Sequence, residues 1–444
     1  MSFRPRGVLP WCTAALLLAG CEPTPSEPSV DEPGGEVLPC LCTPPPPPVE
    51  APGESVTSSQ ARVLAPGATA EEVAALVAGN TDFGAALHRL GKPGENFFFS
   101  PYSITQALAQ VYAGARGDTE TQMGRALRFP LSQERLHPAM NALDLSLQTR
   151  SGGALPEGTT PPTFRVVNAT WAQRGMVFEP GFLDVLARHY GSGMRVVDFP
   201  SEASSVRERI NRWVGAQTEQ RIQELLPPSA VGPDTLLMFV NALYFKGAWA
   251  SPFRKSATRD ESFHALDGAA RPVPMMRGAS GQFMAGEGYE AVSLSYVGGD
   301  FRMLVIVPQA GRFAEVESRL SSDFLQEVRG RLANRSLDIH LPRFQLETTL
   351  PLIPALQSLG IEDAFGGRAN FSGMARGLEL SISSASHKAF VSVNEEGTEA
   401  AAATEVGMGP PSIPEPFLVD RPFLFVLEHT GSRTVLFLGR YVSP

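Results

Sequence analysis

Cysteine is absent beyond residue 42: Cys12, Cys21, Cys40 and Cys42 are the whole complement. Everything after them must fold without a disulfide and without a thiolate zinc site. Basic blocks are missing too. Net charge is −9, which argues against nucleic acid as the main partner. Arg125, Arg128, Arg135 and Arg150 are spread among acidic residues, so no dense basic helix face exists to bind a glycosaminoglycan. After residue 20 no run is apolar enough to cross a bilayer. The seven histidines are scattered, and neither Gly-x-Ser-x-Gly nor His-Glu-x-x-His occurs. A hydrolase is disfavoured on that ground, and no cofactor or metal is expected.

What is present begins with a secretory pattern. Arg4 and Arg6 precede a short apolar run, Val8 to Leu18, that ends in Leu18-Ala19-Gly20-Cys21. The ending resembles a bacterial lipobox, which implies cleavage after residue 20 and lipidation of Cys21. Glu22, a non-Asp residue, then implies sorting to the outer membrane of a Gram-negative envelope. Residues 21–70 read as a disordered tether: proline recurs, with an unbroken run at 44–48, and apolar periodicity is missing. Cys40 and Cys42 within it read as a local disulfide or an idle pair. The expected organisation is a signal peptide over 1–20, a lipid-anchored tether over 21–70 and one folded domain over 71–444. The expected location is extracytoplasmic, on the cell envelope or outside the cell.

Within 71–444 the periodicity predicts helices at 71–90, from Pro101 to about 113, from a capping box at Thr119-x-x-Gln122, and at 180–190, 206–222, 315–332 and 352–359. Ser100 reads as an N-cap with proline at the first helical position. Strands are predicted at 163–173, 194–199, 337–346, 379–394, 422–427 and 433–442, with short ones between 261 and 308. Thr235 to Phe245 is almost continuously apolar, which suits a central strand covered on both faces. Helices dominate early and strands late, so the class is α+β with antiparallel or mixed sheets.

One stretch breaks these local rules. Gly397 to Thr404 reads Gly-Thr-Glu-Ala-Ala-Ala-Ala-Thr and follows a strand, although Ala and Glu are depleted in strands. Extended, it would place Thr398, Ala400, Ala402, Thr404, Val406 and Met408 on one face and Glu399, Ala401, Ala403, Glu405 and Gly407 on the other. The first face is small and becomes apolar, as in a strand that can slide between neighbours. Locally, the same residues also read as a flexible linker or as a helix capped by Thr398.

Five stretches in order give the chain a resemblance. They are Asn96-Phe-Phe-Phe-Ser-Pro-Tyr-Ser-Ile, Gly114-Ala-Arg-Gly-Asp-Thr-Glu-Thr-Gln122, Asn241-Ala-Leu-Tyr-Phe-Lys-Gly-Ala-Trp249, His387 through Thr404, and Pro422-Phe-Leu-Phe to Phe437-Leu-Gly-Arg440. From about residue 71 to the end, the chain resembles a serpin. That resemblance implies large metastable sheets, about nine helices and an exposed reactive-centre loop. It implies an inhibitor rather than an enzyme. A serine protease (elastase-like, subtilisin-like or proline-tolerant) or, second, a cysteine protease would cut the loop. The loop would then insert into the main sheet before the acyl-enzyme hydrolyses.

The resemblance also assigns residues. Gly397, Thr398, Glu399, Ala400, Ala401, Ala402, Ala403 and Thr404 match the hinge, with no bulky or charged residue on the inward face. Ser100, Ser103, Asn241 and His387 match a polar cluster where strands part. Trp249 matches a tryptophan near the start of insertion. A buried, satisfied histidine and a core tryptophan are the plainer readings of the last two. Counting forward from Glu395 and back from Pro422 both give Pro411–Ser412 as the scissile bond. Pro410 and Pro411 make that bond awkward for most serine proteases, and Met408–Gly409 is the alternative, with a pull shorter by roughly 10 Å. A non-inhibitory serpin-fold binding or surface protein, whose loop is only a substrate, is the rival reading. A monomer with a tendency to polymerise by loop insertion is expected.

Overall fold

The apolar run from Leu237 lies at the middle of a seven-stranded sheet, buried as its composition suggested. The computed structural model describes residues 49–149, 155, 159–376, 379–398 and 414–444. In chain order the elements are β1 (Glu54–Val56), α1 (Ala70–His88), β2 (Phe97–Phe99), α2 (Pro101–Tyr112), α3 (Gly117–Ala126), α4 (Gln133–Gln148), β3 (Thr163–Gln173), α5 (Pro180–Val185), β4 (Met194–Val197), α6 (Phe199–Gln217) and β5 (Leu237–Ala248). Then come β6 (Arg259–His264), β7 (Ala270–Ala279), β8 (Gln282–Gly286), β9 (Tyr289–Ser295), β10 (Phe301–Pro308), α7 (Phe313–Ser318), α8 (Ser322–Arg331), β11 (Ala333–Asn334), β12 (Leu337–Pro342), β13 (Phe344–Pro351) and α9 (Leu352–Ser358). The last are β14 (Ile382–Val393), β15 (Gly397–Thr398), β16 (Glu415–Leu418), β17 (Phe423–His429) and β18 (Val435–Tyr441). The fold is α+β with nine α-helices among the described residues.

The first sheet runs β1-β4-β3-β5-β15-β14-β13, the second β11-β8-β9-β10-β17-β18-β2, and the third β16-β12-β7-β6. In the first, β5 is antiparallel to β3 but parallel to β14, with pairs from Leu237↔Ile382 to Leu243↔Ala389. That parallel seam joins segments some 145 residues apart, too far for any local pattern to announce it. The main core contains Phe98, Phe423, Phe425, Phe437 and their neighbours. A separate core lies where α6 buries Phe199, Val206, Ile210 and Val214 against Trp171, Met238, Val240 and Phe390 of the first sheet.

Several local expectations need correction. The capping box at Thr119 does not form: α3 starts at Gly117 with no side-chain cap. Thr119 Oγ1 instead accepts from the Asn370 N–H at 2.9 Å, and Gln122 Nε2 donates to Asp363 at 2.8 Å. Tertiary partners outcompete the local cap. Helix α6 starts at Phe199 rather than 206, because Asp198 caps it through the Ser201 N–H and Pro200 lies in its first turn.

The stretch expected to be a disordered tether up to residue 70 is ordered from Val49 onward. Strand β1 adds to the open edge of β4, with Glu54↔Val196 and Val56↔Met194. The buried Trp171 indole donates to the Pro52 carbonyl at 2.8 Å, which meets the need of a buried Trp N–H for a partner. Arg62 reaches Asn141 and Asp144 on α4, and Ser58 donates to Asp184 on α5. A sheet edge and a buried donor supply partners that a proline-rich composition does not advertise. Residues 1–48, with Cys21, Cys40 and Cys42, lie outside the described residues.

Candidate functional site at the seam and hinge of the first sheet

The seam between β5 and β14 is pinned from beneath by a polar cluster. Asn168, Asn241 and His387 lie in one row across β3, β5 and β14, as the register Asn168↔Asn241 and His387↔Asn241 dictates. Asn241 Nδ2 donates to the Ser103 carbonyl at 2.8 Å and also contacts Ser103 Oγ and Asn168 Oδ1. The Ser100 N–H donates to His387 Nε2 at 3.1 Å, and His387 Nδ1 meets Asn241 Oδ1. Ser100 Oγ in turn caps α2 by accepting from the Ser103 N–H at 3.1 Å. The residues Ser100, Ser103, Asn241 and His387 are thus brought together, all fully buried.

The protonation state of His387 follows from its partners. Nε2 accepts from a backbone N–H, so the single proton is on Nδ1 and points at Asn241 Oδ1. Burial pushes its pKa down to about 3. The ring is neutral at physiological pH, and α2, β5 and β14 are tied through it. Sequence reasoning missed Asn168, and Gln106, whose Oε1 accepts from Asn168 Nδ2 at 3.0 Å. The available signal was an asparagine, a residue depleted in strands, inside the strand-like run Val166-Val-Asn-Ala-Thr-Trp171.

At the other end of the seam the chain turns back on itself. Asn394 Oδ1 accepts from the Glu396 and Gly397 N–H groups at 3.0 and 3.1 Å, an Asx-type turn. The turn is fastened on several sides. Trp249 Nε1 donates to the Asn394 carbonyl at 3.0 Å, and the Trp249 N–H donates to the Glu396 carbonyl at 2.9 Å. The buried Glu395 carboxylate accepts from Arg343 at 2.5 Å and Thr258 at 2.6 Å. Burial works against its ionisation, but those partners more than offset it and hold its pKa below the usual carboxylate range. Lys255 pairs with Glu396.

Beyond the turn, Gly397 pairs with Ala248, and Thr398 pairs with both Gly247 and Val393. Two residues of a new strand, β15, therefore already lie between the parallel strands β5 and β14, antiparallel to both. Thr398 is 1 % exposed, and its Oγ1 lies 2.6 Å from Tyr296 Oη. Trp249 stacks on Tyr296 at 4.4 Å. Tyr296 carried no sequence signal, because its contact with Thr398 crosses 102 residues. Glu399, Ala400, Ala401, Ala402, Ala403 and Thr404 lie outside the described residues, as do Met408, Gly409, Pro411 and Ser412.

The slot at Gly397 has no spare room. A Cβ there would lie 2.0 Å from the Gly247 carbonyl oxygen and 2.8 Å from Ala248 Cα, both backbone atoms. Gly397→Val should therefore expel β15 from the sheet. Limited proteolysis and hydrogen exchange over 394–398 are the measurements, and exchange there should rise at least tenfold while the second sheet keeps its protection. Unchanged protection would show that the slot can widen.

Comparison with known proteins bears on this geometry. The family model described as Serpin (serine protease inhibitor) matches residues 78–444. An uncharacterised serpin-like protein of Thermococcus kodakarensis is 38% identical over 79% of this chain and 81% of its own length. Leukocyte elastase inhibitor of Sus scrofa is 36% identical over 83% of this chain and 99% of its own. Among solved structures, human thyroxine-binding globulin in complex with its ligand superposes with a TM-score of 0.75 at 28% identity, over 84% of this chain and 99% of that one. A sheet with a parallel seam, a polar cluster beneath it and a hinge entering it, together with a family match over most of the length, lead to one conclusion: the chain belongs to the serpin family.

Proposed function

We propose that this serpin inhibits a serine protease outside the cytoplasm as a suicide substrate. The observation that carries the reading is β15, two residues of hinge already seated between β5 and β14 and antiparallel to both. Continuation by Ala400, Ala402 and Thr404 would need only small inward side chains. Each residue added would break one β5–β14 link and make two ladders instead. At about 1 kcal/mol of net gain per hydrogen bond, a strand of roughly ten residues stabilises the sheet by the order of 10 kcal/mol. That gain drives insertion, and inhibition requires insertion to outrun deacylation. The protein acts here as an inhibitor with no cofactor, not as an enzyme.

The similarity to leukocyte elastase inhibitor supports an elastase-like target. Cleavage at Pro411–Ser412, after Pro410 and Pro411, calls for a proline-tolerant enzyme, whereas Met408–Gly409 suits an elastase-like or subtilisin-like one. A cysteine protease is the second target class. The N-terminal pattern supports lipidation at Cys21 and anchoring to the cell envelope, the outer membrane first. An unfilled seam supports polymerisation by insertion of one molecule's loop into another.

A second reading keeps the fold but not the inhibition: a binding or surface protein whose loop is only cut. The two prolines at the counted bond favour it, as does the likeness to a thyroxine-binding globulin. Incubation of the full chain with elastase, subtilisin and a proline-tolerant protease separates the two. Inhibition predicts an adduct that survives denaturing gels and a large rise in Tm after cleavage. The mass of the released C-terminal peptide identifies the bond. Cleavage by all three with no adduct and no rise in Tm would leave the binding reading.

A further inference from the structure

We propose that Tyr296 is the positioning residue that seats the hinge: its hydroxyl captures Thr398 and makes residue 398 the nucleus from which insertion starts. The inference rests on the inhibitory reading for its kinetic consequence, but not for the latch itself.

Tyr296 belongs to neither flank of the seam. It follows β9 in the second sheet's hairpin and reaches across to the first sheet. Its backbone is fixed on both sides: its N–H donates to the Phe301 carbonyl at 3.0 Å, and the neighbouring Val297 N–H donates to Ala248 at 2.8 Å. Its ring is clamped between Trp249, stacked at 4.4 Å and 20°, and Phe245, edge-on at 4.9 Å. With the ring fixed, the hydroxyl has one direction, and Thr398 Oγ1 lies there at 2.6 Å.

Both partners are shut off from water, Tyr296 at 0 % and Thr398 at 1 % exposure. Burial pushes the phenol pKa well above its usual range, so the group stays a neutral hydroxyl that can donate. If the hinge withdrew, Tyr296 would keep a buried hydroxyl without its partner, which is costly. If Tyr296 lost its hydroxyl, Thr398 would be the orphan. Either way the pair favours the seated hinge. Gly247 reinforces the arrangement, since a Cβ there would lie 3.0 Å from the Tyr296 ring, and a larger residue would displace the ring.

In this arrangement the slow first step of strand insertion, fixing a residue in register before its ladder exists, is taken before the protease arrives. After cleavage, insertion only has to propagate from Thr398. Releasing the latch hands time to deacylation.

The test is a cycle of near-isosteric variants in the full chain: Tyr296→Phe, Thr398→Val and both together. Each single variant leaves one buried hydroxyl unpaired, and the double variant leaves none. A buried hydrogen bond of ordinary strength corresponds to about tenfold in the seating equilibrium. Hydrogen exchange over 394–398 should therefore rise about tenfold in each single variant. The stoichiometry of inhibition, in moles of serpin per mole of protease, should rise severalfold. The double variant should return both towards the parent value, a rescue that general loss of packing would not give.

Unchanged exchange in Tyr296→Phe, or a double variant worse than either single one, would overturn the proposal. The exchange pattern needs no protease. If the parent forms no adduct but the exchange cycle closes as described, the latch stands and the inhibitory reading falls.

Discussion

On the inhibitory reading proposed above, Thr398→Arg should turn the protein from an inhibitor into a substrate. Thr398 sits in a slot bounded by Gly247, Val393 and Tyr296, with 1 % of its surface exposed. Among the described residues, the neighbouring carboxylates are engaged elsewhere: Glu395 is held by Arg343 and Thr258, and Glu396 by Lys255. A guanidinium buried there would lose its hydration with no counter-charge, at a cost of several kcal/mol. A cost of about 3 kcal/mol already shifts seating more than a hundredfold. On that reading the loop should still be cut at an unchanged rate, because cleavage precedes insertion of the residues beyond 398. The expected result is a stoichiometry of inhibition raised more than tenfold, no lasting adduct, and no rise in Tm after cleavage. An adduct yield equal to the parent's would mean that insertion starts downstream of residue 398.

Acid should weaken the fold steeply, and the polar cluster under the seam should be among the first parts to fail. The folded pKa of His387 is depressed to about 3, against about 6.5 in the unfolded chain. Between those values the unfolded state binds a proton that the native state refuses. Stability is therefore complete above about pH 6.5 and falls as pH drops towards 3, by up to about 1.4 kcal/mol per pH unit for this group. His137, buried on α4 against Tyr190, is likewise pushed down to about 3 and adds a second slope of the same sign.

His387 has a further consequence. A second proton, on Nε2, would face the Ser100 N–H and break the tie between α2 and β14. Urea midpoints measured from pH 7.5 to 4.5 should fall throughout, and native gels at the acid end should show polymer. His387→Gln keeps an acceptor and a donor but cannot titrate, so its slope should be shallower by one histidine. A slope identical to the parent's would remove His387 from the account.

How much of this could be read from the sequence differs from element to element. The run from Leu237, the Ser100-Pro101 helix start and the apolar strands Phe423–His429 and Val435–Tyr441 were legible, because apolar runs and capping chemistry act within a few residues. The hinge was legible as a fault, a run of small residues where a strand should have had large ones. The polar cluster was legible only through resemblance. Its members come from α2, β5 and β14, and Asn168, the unrecognised one, lies in a strand that reads as ordinary.

By itself, the sequence determined most of the longer helices and strands, that residues beyond 42 fold without cysteine chemistry, and that one stretch is small enough to enter a sheet. Only the tertiary structure decided where that stretch enters. The parallel pairing of β5 with β14, the slot that admits Gly397 and no Cβ, and the hydroxyl of Tyr296 that meets Thr398 are all contacts across a hundred residues or more. The same holds for β1, whose three residues carry no strand pattern and pair because β4 has an open edge and Trp171 needs an acceptor. Local propensity acts through neighbours along the chain. These contacts depend on which backbone groups and buried hydroxyls are left without partners once the sheets have assembled.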